Sequence, residues 1–223
     1  DGAKLTNLRF ADDLLLFAHT EEEAGQMLEV LIQELALVGL RLNPTKTVFL
    51  TNVDIHAPHH QLVSGDYVLI LGQHASHKWL ERQLSTNEAE PFADDTAARL
   101  RAGATAFAKH QRTLCYKHLA LHKRLALFRS TVVPAVVYGA GSRPLSSEDA
   151  RRLDVSYRRY LRRIIGFPPG MDWERRWHEI LHDAHEYCLP MAAEHGLEPF
   201  SHIYARRQWS WASKVYRMEP SRW

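Results

Sequence analysis

Two adjacent carboxylates lie between two apolar runs near the start of the chain. Residues 5–18 read L-T-N-L-R-F-A-D-D-L-L-L-F-A, with Asp12 and Asp13 in the middle. The flanking runs read as the two strands of a tight β-hairpin with the aspartates at its turn. Neighbouring carboxylates repel, and a divalent cation is one way to compensate that repulsion. Alternate side chains of a strand point to opposite faces, so one aspartate should face a cleft and the other tilt away. Carboxylates of this kind hold Mg²⁺ in two-metal phosphoryl transfer, where the ions sit beside the attacking and leaving oxygens. Taken alone, an Asp-Asp pair is also an ordinary turn.

A second constellation is His178-Glu179-Ile180-Leu181-His182, an H-E-x-x-H pattern. On a helix its histidines share one face, with the glutamate placed as a base toward a zinc-bound water. Glu198 is a possible third ligand, and His185 and Cys188 extend the cluster. A zinc metallopeptidase is therefore a remote alternative. Against it, the chain holds 14 His, so chance matches are common. An H-x-x-G-x-x-H continuation is absent, and no strand-rich peptidase sheet precedes the motif.

The elements that must position these residues follow from periodicity. Thr20 opens a helix, with Glu23 at capping-box spacing. Ala24, Met27, Leu28, Leu31, Leu35 and Val38 form one apolar stripe, and Gly39 ends it. Val48–Leu50 and Tyr67–Leu71 read as strands, and the polar, His-rich stretch 53–66 as loop. Strand signals cease after about residue 92. Helices are expected over Ala97–Gln111 and from Leu119 to about Gly139, the latter broken near Pro134. Ser146 caps a helix with Asp149 at its third position, running to Ile165 and stopping at Gly166. Trp173–Tyr187 and Ser201–Arg217 complete the helical half. The expected fold class is α+β: a small unit of hairpin, helix and short strands, then an all-helical basic unit and a C-terminal helical region. The boundaries are set at 1–90, 91–166 and 167–223.

The chain has 223 residues, 45% hydrophobic and 24% charged, with a net charge of +2. That composition excludes a disordered chain. Two cysteines exclude a disulfide framework and a four-cysteine zinc site, and a reducing compartment is the simplest reading. No apolar run of about 18 residues is present, so no membrane partner is expected. The chain starts without Met and is read as a piece of something longer, or a processed product. Charge is blocked: residues 1–98 carry a net −9, residues 99–163 a net +12 and residues 164–223 a net −1. A 65-residue block at +12 points to a nucleic-acid backbone, the bland alternative being solvated helix faces.

The residues around the carboxylates resemble a known family. F-A-D-D-L-L-L-F-A is similar to the Y/F-x-D-D motif of reverse transcriptases. G-L-R-L-N-P-T-K-T, Gly39–Thr47, resembles the next motif of non-LTR retrotransposon (LINE-like) and group II intron members. The strand ending Leu71-Gly72 resembles the Y-L-G element before the thumb, with Ile70 departing from the usual aromatic. Arg124–Ala140, Arg151–Gly166 and the tail Trp209–Trp223 are similar to later segments of LINE-like proteins.

The resemblance implies an RNA-directed DNA polymerase fragment, palm and thumb, using Mg²⁺ with an RNA template and a DNA primer. Asp12 would be a metal ligand and Asp13 a weaker or indirect one. Lys46 would donate a proton to the pyrophosphate leaving group. Phe10, Asn43 and Gly72 would support the site, Asn43 by fixing the loop that holds Lys46. Arg151, Arg158, Arg159, Arg162 and Arg163 would line the thumb and track the template–primer backbone. The last four fall on one stripe of a helix. Tyr157 and Tyr160, interleaved with them, are expected to pack rather than stack on bases. The family draws another essential aspartate, and the fingers that hold the deoxynucleotide, from upstream of the hairpin. The chain alone is therefore expected not to polymerise, and a non-catalytic nucleic-acid-binding remnant is the alternative. Nuclear location is implied by the resemblance alone.

Overall fold

The computed structural model describes residues 5–87 and 92–218. The chain divides into two compact units, Asp1–Asp94 and Asp95–Trp223. Part of the expected boundary, 88–91, and the last five residues of the tail motif, 219–223, lie outside the described residues.

In the first unit, β1 (Asn7–Phe10) and β2 (Asp13–Leu16) pair antiparallel, with Phe10 opposite Asp13 and Asn7 opposite Leu16. The turn is one residue earlier than expected: Ala11 and Asp12 form it, and Asp13 opens β2. Ala11 has a φ of +52°, in the left-handed region, which costs an L-residue about 1 kcal/mol.

Helix α1 (Glu21–Leu37) starts at Thr20, whose hydroxyl accepts from the Glu23 N–H at 3.1 Å. The Glu23 carboxylate reaches back to the His19 N–H at 2.7 Å. The helix ends in a Schellman motif: Gly39 has a φ of +76°, its N–H donates to Ala36, and the Leu40 N–H donates to Leu35. The apolar stripe is buried at Leu28 and half-buried at Ala24, Met27, Leu31 and Leu35, but Val38 is exposed.

A three-stranded sheet has the order β3-β5-β4. β3 (Val48–Leu50) runs parallel to β5 (Tyr67–Leu71), and β4 (His59–Gln61) antiparallel to it. The stretch 53–66 is therefore not all loop. His59-His60-Gln61 forms an edge strand, which tolerates polar residues on both faces. Leu28, Leu62 and Val68 form the core between α1 and this sheet, with Leu31, Ile32, Leu42 and Phe49 against it. Glu21, Gly25 and Glu29, four residues apart, face β4 and the turn after it. Glu21 meets His60 at 3.1 Å, and Glu29 accepts from the Val63 N–H at 2.6 Å. A Cβ on Gly25 would stand 2.7 Å from the His60 ring, so glycine permits this approach. A further hairpin, β6 (Ser76–Trp79) with β7 (Arg82–Ser85), turns through Leu80 and Glu81, both at positive φ. These two strands had no apolar alternation to announce them.

The second unit is helical: α2 (Ala93–Leu114), α3 (Leu121–Val136), α4 (Ser147–Ile164), α5 (Trp177–Glu194) and α6 (Phe200–Tyr216). Helix α2 starts in the first unit's last residues and is longer than expected. Pro134 does not break α3. It sits in the last turn, where the lost hydrogen bond is cheapest. Helix α5 begins at Trp177, so Trp173 lies in the preceding connection, and the helix continues through Pro190 to Glu194.

Tyr157, Phe107, Phe128, Phe200 and Tyr204 fill the core, which draws on all five helices. Tyr160 stacks on Phe107 at 4.8 Å, and Tyr157 meets Phe200 edge-on at 5.2 Å. Both tyrosines are packing residues. Gly103 lets α2 approach Val136 of α3 closely. Arg143 is buried between Asp95 at 3.4 Å and Asp149 at 3.7 Å, with its guanidinium over the Tyr204 ring. The Ser146 hydroxyl caps α4 by accepting from the Asp149 N–H at 3.0 Å. Leu121–Ser142 is, among the described residues, the one stretch long and apolar enough to cross a membrane. Its Leu125, Phe128, Val132 and Val136 are buried in the helical core.

Candidate functional site

The aspartate hairpin presents its carboxylates openly. Asp12 and Asp13 are both exposed, one in the turn and one at the start of β2. Phe10, opposite Asp13, is 63% exposed. The ring and the carboxylates thus share the tip of a two-stranded ribbon. Among the described residues, no three His, Cys, Asp or Glu side chains come together as a metal-holding group. The hairpin offers two hard oxygen donors and no more. Mg²⁺ is often held by one or two carboxylates with the remainder from water and substrate phosphates, so the donor type fits and the set is partial.

Lys46 ends a short 3-10 turn, Pro44–Lys46, just before β3. Asn43 ties this turn on three sides. Its side-chain oxygen accepts from the Thr45 N–H at 3.1 Å and the Thr45 hydroxyl at 2.7 Å, and its carbonyl accepts from the Thr47 hydroxyl at 3.0 Å. Lys46 is exposed at the end of this fixed turn. Gly72 follows β5 and packs against Ile55, where its carbonyl accepts from the Ala75 N–H.

The α4 arginines do not act as one stripe. Leu153, Tyr157, Tyr160, Leu161 and Ile164 bury one side of the helix, and the arginines occupy the rest. Arg163 lies over the Phe107 ring of α2 at 4.6 Å. Arg162 donates to His185 of α5. Arg151 is paired with Glu148 in two hydrogen bonds, 2.8 and 2.7 Å. Arg158 and Arg159 make no ion pair among the described residues. The crowding is felt at Arg162: burial pushes its pKa down first, and Arg159 and Arg158 push the same way. Burial, then Arg162, lowers His185 to about 4, so its ring is neutral and accepts from the guanidinium at ordinary pH.

Two cations that the sequence reading did not single out close the end of α4. Lys117 donates to the Ile164 and Ile165 carbonyls at 3.0 and 2.6 Å, and Arg124 donates to Ile164. Cations at a helix C-terminus satisfy its last carbonyls and its dipole. Their partners are forty or more residues away in sequence, so no local signal marks them.

The H-E-x-x-H residues are on α5 as the spacing requires, but their surroundings differ from a zinc site. Glu179 accepts from Arg175 and Arg176 at 3.3 and 2.9 Å. Glu198 pairs with Arg206. The Cys188 thiol, pushed up to about 11 chiefly by burial, donates to the Gly166 carbonyl at 3.3 Å.

Residues 2–80 match the protein family described as Reverse transcriptase (RNA-dependent DNA polymerase). That stretch holds the aspartate hairpin, the Asn43–Lys46 turn and Gly72, and ends before α2. Over 226 residues the chain is 28% identical to an uncharacterized transposon-derived protein of Caenorhabditis elegans, an alignment spanning 100% of this chain and 76% of that relative. No solved structure matches the chain.

Proposed function

We propose that this chain supplies the aspartate hairpin and a nucleic-acid-gripping helical unit to an RNA-directed DNA polymerase of the non-LTR retrotransposon type. The observation that carries the reading is the exposed Asp12–Asp13 tip, lying within the stretch similar to reverse transcriptases. Mg²⁺, when bound, neutralises charge on the reacting phosphates. Asp12 holds it directly and Asp13 more weakly. Lys46, fixed by Asn43, offers an Nζ proton to the leaving pyrophosphate. Residues 1–90 act as part of a palm, 91–166 as a thumb and 167–223 as its extension. Gly72 lies near the primer end, and the α4 arginines follow the backbone of an RNA template paired to a DNA primer.

Two carboxylates are too few for the two-metal chemistry, which favours a chain that binds but does not extend by itself. Extension requires a further aspartate and a nucleotide-holding element. The test uses an RNA template with an annealed DNA primer. The 223-residue chain is expected to bind it, with log K falling against log salt by several units, and to extend nothing in Mg²⁺. A chain carrying the upstream coding sequence is expected to extend the primer and to lose extension in Asp12→Asn. A flat salt response of the 223-residue chain removes the reading. Extension by the longer chain that survives Asp12→Asn removes the catalytic half and leaves a binding remnant.

A further inference from the structure

The connection between α4 and α5, together with the first residue of α5, carries three aromatic rings that neither the hairpin chemistry nor the core uses. Phe167 meets Trp173 edge-on at 5.0 Å and Trp177 at 6.4 Å. Both tryptophans are 59% exposed. The core of the same unit buries Tyr157 and Phe128 almost completely, so burial of large rings is available in this unit and these two do not take it.

The connection is held in shape. Gly166 and Gly170 take φ values of +111° and +74°, and Pro168 and Pro169 stand between them. The Asp172 carboxylate accepts from the Glu174 N–H at 3.0 Å. Arg175 ties the far end to Asp183 at 2.6 Å and to Glu179. The Gly166 carbonyl is anchored by Cys188. A rigid set of open rings loses little entropy on binding, which is what an aromatic recognition site needs.

We propose that the Phe167–Trp173–Trp177 cluster is a stacking site for unpaired bases of single-stranded nucleic acid. The inference rests on the nucleic-acid reading above and adds to it a distinction between single and double strands. Charge selects this occupant. Phe167 follows closely on the end of α4, the helix that carries Arg158 and Arg159, which have no ion pair among the described residues and crowd Arg162. Neutral aromatic faces on the segment that follows an arginine-rich helix match bases joined by phosphates. The cations of the connection itself, Arg175 and Arg176, are already held by Glu179 and Asp183, so phosphate contacts are left to α4.

The test measures binding of the whole 223-residue chain to a labelled oligodeoxythymidine and to a blunt duplex of equal length, each across a salt series. Trp173→Ala with Trp177→Ala is expected to weaken oligodeoxythymidine binding roughly 10-fold or more, with the salt slope and the duplex affinity unchanged. Trp173→Phe with Trp177→Phe should recover most of the loss, which separates stacking from a folding defect. Arg158→Ala with Arg159→Ala should weaken both nucleic acids and reduce the slope by about two. If the tryptophan pair changes nothing while the arginine pair still weakens binding, the stacking site is wrong and the nucleic-acid reading stands. If neither nucleic acid binds with salt dependence, both are wrong. If sedimentation shows a self-associated chain that the tryptophan variant converts to monomer, the rings belong to a protein contact and the stacking site is wrong.

Discussion

The two units solve opposite problems. Among the described residues, the first buries four hydrophobic side chains, Leu28, Leu62, Val68 and Ile70, while the second buries twenty-two. The first also leaves Leu5, Phe10, Leu37, Val38, Leu40 and Val63 well exposed, a large apolar surface for a unit of this size. It nevertheless carries the hairpin and the lysine turn. Its order comes from short-range devices: a two-residue turn, a capped helix, an asparagine-tied loop. The second unit derives its order from interlocked rings drawn from five helices. The residues proposed to carry chemistry sit on thin, locally fixed backbone, whereas the helix proposed to bind nucleic acid is held by a deep core.

The largest expected effects test that contrast directly. Phe128→Ala removes a ring that is fully buried among Tyr157, Tyr160 and Phe200, and should cost about 3–5 kcal/mol. Leu28→Ala, in a small core, has neighbours free to relax and should cost about 2 kcal/mol. Hydrogen exchange read on α3 and α4 for the first variant, and on α1 and β5 for the second, gives the comparison. A larger loss for Leu28→Ala would reverse it.

Gly25→Ala is next. Alanine favours an exposed helix interior by roughly 1 kcal/mol over glycine. Here the added methyl meets the His60 ring at 2.7 Å, and the edge strand must move. A net loss of about 1–2 kcal/mol is expected in the first unit. The double variant Gly25→Ala with His60→Ala should recover most of it, as read by exchange at α1 and β4. A stabilised single variant would show that β4 is not fixed against α1.

Local signals explain what the sequence made legible. Thr20 with Glu23, Gly39, Ser146 with Asp149, and the strands Val48–Leu50 and Tyr67–Leu71 all rest on neighbours within a few residues, and all are found where expected. The hairpin was legible to within one residue of its turn. The edge strand His59–Gln61 was not, because its residues are polar and its pairing is supplied by β5. The Leu80-Glu81 turn was hidden because it uses positive φ without glycine or asparagine. Arg143 with Asp95, and Lys117 with the end of α4, join residues far apart in sequence. The arginine stripe was read correctly as a helix surface but not as one divided between α2 and α5.

Helix caps allow a comparison at equal chemistry. Thr20→Ala and Ser146→Ala each remove one side-chain acceptor, from the N–H of Glu23 and of Asp149, and each should cost about 1 kcal/mol. Equal costs fall on unequal reserves. The first unit should lose a larger share of its exchange protection from Thr20→Ala than the second does from Ser146→Ala. Equal fractional losses would mean that the small core is not what limits the first unit.

The smallest expected effect is a difference in acid sensitivity. His185 has its pKa lowered to about 4 in the fold, against an ordinary value near 6.5, by burial and then by Arg162. The unfolded chain therefore binds more protons there between these values. The contribution is fully present above about pH 6.5 and is lost as pH falls toward 4. In the first unit, Glu22 is held below its usual range by a backbone hydrogen bond and the Thr20 hydroxyl, so its contribution is lost only as pH falls below about 4.5. Between pH 6.5 and 4.5 exchange protection should decline in α4 and α5 while α1 holds steady. His185→Gln should flatten the decline. If α1 weakens first, or His185→Gln leaves the profile unchanged, the Arg162–His185 contact is not what sets the acid response of the helical unit.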